Sequence, residues 1–242
     1  MVTPKELERL MQVAVEDKRE EPAFFRALLD AIVYAHAPMS DDSRRLRLIQ
    51  FIRPDGLTVL PFFTDRTKAQ FAARSAARIV ELTGRQLLTI TRGATLMLNP
   101  NDTHCTLYPE EVEALLTTGG VATVEKLELD EHQIGVRPPE SHPAWLGEAL
   151  TTLFQRLPSV ETAYMVETWP AENPSQVSLV IVIGVMPAES ERVARAAITQ
   201  IQPRCEGLDV AIDLTTFDPV EGFPEWLDYG HAEPFYRRAD SP

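Results

Sequence analysis

Few residue pairs in this chain have the types and spacing that covalent chemistry needs. His104-Cys105 is the one histidine–cysteine neighbour pair. A nucleophilic thiol needs a base oriented toward it in space, and adjacent residues on a strand point to opposite faces. Cys105 therefore reads as a core-side cysteine and His104 as a solvent-side residue. Cys205, after Pro203 and between Arg204 and Glu206, reads as a packing or loop thiol. The histidines His36, His104, His132, His142 and His231 stand apart from one another and from any cysteine or carboxylate at metal-ligand spacing, so no metal site is expected. The glycines form neither GxGxxG nor a P-loop, and the serines form no GxSxG elbow, so no nucleotide or other cofactor is expected.

Carboxylates are plentiful. Glu110-Glu111 follow Pro109 and open a helix, where the unpaired amides and the macrodipole favour negative charge. Asp213, Asp218 and Glu221 fall near the end of the last long strand, where a cluster or a solvated loop are both open readings. The aromatic C-terminal arm differs in kind: Phe217, Phe223, Trp226, Tyr229, Phe235 and Tyr236 alternate with prolines and charges, without a period of their own. Such rings either pack back onto the domain or form an adhesive surface, where Trp, Tyr and Arg are enriched. The expected partner contacts are Trp226, Tyr229, Phe235 and Tyr236, with Arg237 and Arg238 at the rim.

These residues sit on elements that the pattern predicts. Thr3-Pro4-Lys5-Glu6 carries the signature of a capped helix start, and Pro22 opens a second helix with Phe24, Phe25, Leu28, Leu29, Ile32 and Val33 inward. Leu46–Ile52 alternates as a strand, Asp55-Gly56 turns a hairpin, and Leu57–Phe62 returns. A helix capped by Thr64 or Asp65 carries Ala69, Phe71, Ala72 and Ala76. Ile79–Leu82 is a short strand, Thr83 caps the next helix, and Thr95–Leu98 is a buried strand closed by Asn99-Pro100-Asn101-Asp102. Cys105–Tyr108 resumes as a strand before the helix that ends at Gly119-Gly120. Val121–Val136 reads as strand-like, and Pro138-Pro139 as a junction.

The second half reads α-β-β-α-β. A helix carries Trp145, Leu146, Leu150, Leu153 and Leu157, and strands Val160–Glu167 and Val177–Val185 follow. A helix over Ala188–Ile201, a strand over Leu208–Leu214, and the arm complete it. The fold class is α+β: two consecutive domains, 1–130 and 131–242, each a small, mainly antiparallel sheet packed with helices.

At 242 residues, two cores fit and neither needs a disulfide. The net charge of −13 argues against nucleic acid and anionic lipid. Two cysteines a hundred positions apart point to a reducing, cytoplasmic compartment, and no apolar run reaches the ~18 residues that a membrane span needs.

The motifs LPFFTD (Leu60–Asp65), LMLNP (Leu96–Pro100) and LYPEEVEAL (Leu107–Leu115) resemble the N-terminal domain of the SseB family, the enhanced serine sensitivity proteins. IGVRPPESHPAWLGEAL (Ile134–Leu150), AYMVE (Ala163–Glu167), LVIVIG (Leu179–Gly184) and PFYRR (Pro234–Arg238) are similar to the family's C-terminal domain. The chain departs from the family texture in AQFAARSAAR (Ala69–Arg78), which replaces a stretch richer in glycine and small residues. The resemblance implies a bacterial cytoplasmic protein with no catalytic residue set to carry over, and a C-terminal domain that is often labelled with type III secretion. It fits a protein-binding or accessory module whose partner is another protein; a secretion-associated chaperone or immunity module is a third reading. The family's serine phenotype implies an alternative: an enzyme or small-molecule regulator of serine or sulfur amino-acid metabolism, with a polar pocket near Cys105 or Asp213.

Overall fold

The structure, a computed structural model, describes residues 2–40, 45–73, 77–102, 105–122, 134–229 and 231–239. The chain divides into two compact units, Met1–Thr123 and Val124–Pro242. Each combines helices with a mixed sheet, so the class is α+β.

The first unit opens with α1 (Pro4–Glu16) and α2 (Glu21–Asp30). Thr3 caps α1 by accepting from the Glu6 amide (3.3 Å), but the Glu6 carboxylate turns to Arg9 (2.8 Å) and leaves the capping box half made. Then come β1 (Ile32–Pro38), β2 (Phe51–Ile52), β3 (Thr58–Phe63), α3 (Arg66–Ala73), β4 (Ala77–Thr83), α4 (Gly84–Ile90), β5 (Leu96–Leu98), β6 (Cys105–Leu107) and α5 (Pro109–Thr118). The strand order is β4-β1-β3-β5-β6, with β2 on β3, and only β3 and β5 are parallel. Gly56 takes φ 86° in the predicted β2–β3 turn, and Thr83 with Gln86 forms a reciprocal capping box at α4.

Three expectations need correction. Ile32 and Val33 do not extend the second helix; they begin β1, whose Val33, Ala35 and Ala37 are buried at every second position. A seven-residue strand that follows a helix with one intervening residue mimics helical periodicity. The Leu46–Ile52 strand shrinks to Phe51–Ile52. Phe71 is 74% exposed on α3, where Ala69 and Ala73 face inward instead. The expected helical Ala76, His104 and most of Val121–Val136 lie outside the described residues.

Val33 and Ala35 meet Leu7, Phe24, Leu28, Leu88 and Leu115 in one core, which places α1, α2, α4 and α5 on that face. His36, one position out of phase with them, faces α3: its Nε2 is 2.9 Å from the Ala69 carbonyl. The first sheet is therefore covered on both faces.

The second unit runs β7 (Ile134–Arg137), α6 (Ala144–Phe154), β8 (Val160–Pro170), β9 (Ser178–Val185), α7 (Pro187–Ile201), β10 (Ala211–Phe217), α8 (Glu225–Tyr229) and β11 (Pro234–Arg237). The predicted α-β-β-α-β core is present, flanked by β7 and β11. Pro138-Pro139 come after β7, already inside this unit. The order is β10-β9-β8-β11, with β10 parallel to β9. Because β9 fills one edge of β8, β7 (opposite Glu167–Pro170) and β11 (opposite Thr162–Tyr164) share the other edge, end to end.

Alternation along β8 and β9 gives this sheet two apolar faces. Ala163, Met165, Leu179, Ile181 and Ile183 face α6 and α7. Tyr164, Val166, Val180 and Val182 face the arm, which covers them with Trp226 and Leu227. The arm is thus a short helix and a strand rather than irregular chain.

Candidate functional site

The sequence-predicted contact residues are engaged within their own unit to different degrees. Trp226 and Tyr236 are buried, and the Tyr236 hydroxyl donates to the Phe154 carbonyl (3.2 Å). The Arg238 guanidinium donates to the carbonyls of Val160 (2.8 Å), Phe154 (3.1 Å) and Leu157. The last turn of α6 leaves carbonyls without intrahelical donors, and a cation there also suits the helix dipole. Phe235 is half-buried beside Phe154 (ring centroids 6.4 Å apart), whereas Arg237 is exposed. Tyr229 closes α8; its side chain lies outside the described residues. Burial of the rings follows from the second apolar sheet face, which needs a cover.

The carboxylates separate as well. Asp218 and Glu221 line a shallow open depression of about 450 Å³ with Ser190 and Phe223, while Asp213 is not part of it. Cys105 packs half-buried against the first core. The Cys205 thiol donates to the Ile201 carbonyl (3.3 Å), and burial pushes it up, away from thiolate reactivity. Among the described residues no three metal-ligating side chains converge.

Two polar clusters had no sequence signal beyond the resemblance motifs. At the ends of the parallel pair β3 and β5, Asn99 is buried at φ 46° and binds Thr64 through both halves of its amide (Thr64 N–H to Oδ1 3.1 Å, Nδ2 to the hydroxyl 2.9 Å). The Thr64 hydroxyl also donates to Glu8, which with Asp102 holds Lys68 (2.8 and 2.9 Å). Burial alone would lower the Lys68 ammonium, but the two carboxylates outweigh it and hold it above the ordinary lysine value. Thr64 and Asn99 come from LPFFTD and LMLNP, so two motifs distant in sequence meet as one satisfied network. Asn99→Ala should cost the first unit about 2 kcal/mol, chiefly from the buried Thr64 amide left without its acceptor. Asn99→Gly should cost about 1 kcal/mol less, since glycine accepts the positive φ. Urea titration of both variants checks the ranking.

In the second unit, Glu167 is buried and accepts from Arg137 (2.7 Å) and from the Glu140 amide (3.0 Å). The Arg137 guanidinium lies 5.3 Å from the Trp169 ring, and that ring covers Gly135 so closely that a Cβ there would overlap it. The Glu167 hydrogen bond, more than the neighbouring charges, raises the Arg137 guanidinium further. Each cluster couples motif residues within its own unit.

The surface offers a different chemistry. Ile49 N–H donates to the His36 carbonyl (2.8 Å), and Phe51 and Ile52 ladder with Val59 and Thr58. This segment and β1 both run antiparallel to β3. Met39, Leu46, Phe51 and Ile52 are all exposed, Ile52 at 71%. Arg45, Arg47 and Arg53 interleave with them, and no carboxylate occurs between Arg45 and Arg53. Arg53 is paired with Asp55 (2.8 Å). In a chain of net charge −13, this is a cationic, apolar strip.

Residues 7–114 match the family model of the SseB protein N-terminal domain, and residues 130–238 that of the SseB protein C-terminal domain. Among curated proteins, the chain is similar to Protein SseB of Escherichia coli (strain K12) and to Protein SseB of Shigella flexneri. Each is 29% identical over 98% of this chain and 93% of the relative. No solved structure matches the chain. No helix among the described residues is long and apolar enough to cross a membrane.

Proposed function

The chain belongs to the SseB family, and from that premise we propose that it is a non-catalytic binding protein that engages a protein partner through the first unit. The observation that carries this reading is the strip of Leu46, Phe51 and Ile52 with its arginines. Exposed apolar side chains set among cations form a surface that gains by being covered, and aromatic and Arg residues are enriched in such interfaces. The partner surface expected at the C-terminal arm moves to this strip, because the arm's own rings and Arg238 hold the second sheet. A cytoplasmic setting fits two half-buried cysteines that form no disulfide with each other.

Ile52→Asp tests the proposal. At 71% exposure the substitution should change stability by no more than about 0.5 kcal/mol. Affinity purification of the tagged full chain from its native bacterium should recover a partner with wild type and lose it with Ile52→Asp. Equal recovery from a folded variant would sink the reading. The small-molecule alternative rests on the open depression beside Asp218 and Glu221. Serine, cysteine and their acyl derivatives are expected to leave the melting temperature unchanged; an upward shift that follows ligand concentration would favour that alternative.

A further inference from the structure

The cationic strip has a complement elsewhere in the same chain. Asp218–Asp228 carries Asp218, Glu221, Glu225 and Asp228 and no lysine or arginine. Within it Val220 is 77% and Phe223 41% exposed. Phe223 rests its inner edge on Tyr164 (centroids 5.2 Å apart) and Phe217 (6.1 Å) and leaves the rest of the ring to solvent. The loop is an ordered turn: the Asp218 carboxylate accepts from the Val220 amide (2.9 Å), and the Glu221 amide donates to the Asp218 carbonyl (3.2 Å). It presents two apolar side chains among carboxylates, as the strip presents apolar side chains among arginines.

Building on the binding role proposed above, we infer that the occupant of the strip is the 218–225 loop of a second copy of this chain. Arg47 faces Glu221, and Phe51 and Ile52 cover Val220 and Phe223. Each copy carries both a strip and a loop, so the association is one between copies of the same chain. Each contact involves few residues and falls below the ~800 Å² per partner of a standard interface, so the dimer is weak and sensitive to salt.

Sedimentation velocity of the full chain over a dilution series, at low and at high salt, tests this with Arg47→Glu, Glu221→Arg and the double variant. Both positions are exposed, and unchanged melting temperatures show that the variants fold. The expected result is a concentration-dependent dimer that salt weakens, and about a tenfold loss of affinity in each single variant. Mixing the two single variants, or combining both reversals in one chain, restores association, because each reversed strip then meets a reversed loop. A wild type that stays monomeric at every concentration overturns the inference. So does a dimer that neither reversal weakens, or a loss that neither combination restores. If the wild type is monomeric while Ile52→Asp still loses a captured partner, the inference fails and the binding role stands; if Ile52→Asp loses nothing, the binding role fails with it.

Discussion

Gly84→Ala should destabilise the first unit by about 3 kcal/mol or more, although alanine is the better helix former by about 1 kcal/mol. Gly84 begins α4 and donates its amide to the Ala31 carbonyl (2.9 Å). A Cβ there would overlap the Leu28 carbonyl oxygen and stand 3.2 Å from the Leu29 Cα. These are backbone atoms in the last turn of α2, so no rotamer change relieves the overlap; α4 must move off α2 and open the core around Leu28, Leu87 and Leu88. Gly147→Ala in α6 is the control, because nothing lies within 4 Å of a Cβ at that position. It should stabilise by roughly 0.5–1 kcal/mol. Thermal melting followed by circular dichroism should therefore show opposite shifts for the same substitution, with Gly84→Ala lower by about 10 °C. Equal shifts of one sign would refute the overlap argument.

Arg238→Ala should lower the stability of the second unit by about 3 kcal/mol. The guanidinium donates to the Phe154 carbonyl at the end of α6, where its charge also complements the helix dipole, to the Leu157 carbonyl in the turn beyond and to the Val160 carbonyl at the start of β8. Hydrogen bonds to a charged donor are worth at least about 1.5 kcal/mol, and partial exposure together with the other donors on the Phe154 and Leu157 carbonyls brings the three down to about 3 kcal/mol in total. Arg238→Lys should recover only part of the loss, since a single ammonium cannot match three carbonyls from a planar fork. Arg237→Ala, on the exposed neighbour, should leave the unfolding midpoint in place. Denaturant titrations of the three variants check this order, and equal effects of Arg237→Ala and Arg238→Ala would contradict it.

Much of the architecture was legible because local chemistry and tertiary structure agree. Asp55-Gly56, Thr83, Asn99 and Pro109-Glu110-Glu111 each act where their turn or cap preference puts them. The second half's α-β-β-α-β order follows from long apolar runs in Val160–Glu167 and Val177–Val185, whose length and β-branching separate them from the helices. β1 was hidden because its small residues, Ala35 and Ala37, lack strand propensity, and its burial is set by partners on both sides, β3 and β4. The site was harder to read than the fold. An aromatic, arginine-rich tail has the same composition whether its rings cover a sheet face or meet a partner, and only the second apolar face of β8 and β9 decides between them. The exposed strip reads as a complete strand because its alternation is real; what the sequence does not show is that ladder pairing with β3 begins only at Phe51. The Glu8–Thr64–Lys68–Asn99–Asp102 network joins residues up to about ninety positions apart, beyond the reach of any local pattern.

The shared edge of β8 has a consequence for how the second unit opens. Arg137 ends β7 opposite Glu167, and Pro234 begins β11 opposite Tyr164, so two strands nearly a hundred residues apart run on as if they were one. Strands near the ends of a domain usually fray, and their amides exchange with solvent through small local fluctuations. Here α6 is anchored by Arg238 just beyond β11, Glu167 is held by Arg137 of β7, and both strands register on the same central neighbour. Neither can peel away without loosening the other's supports. Amide protons of β7 and β11 should therefore exchange together with those of β8 and β9, in a single cooperative opening.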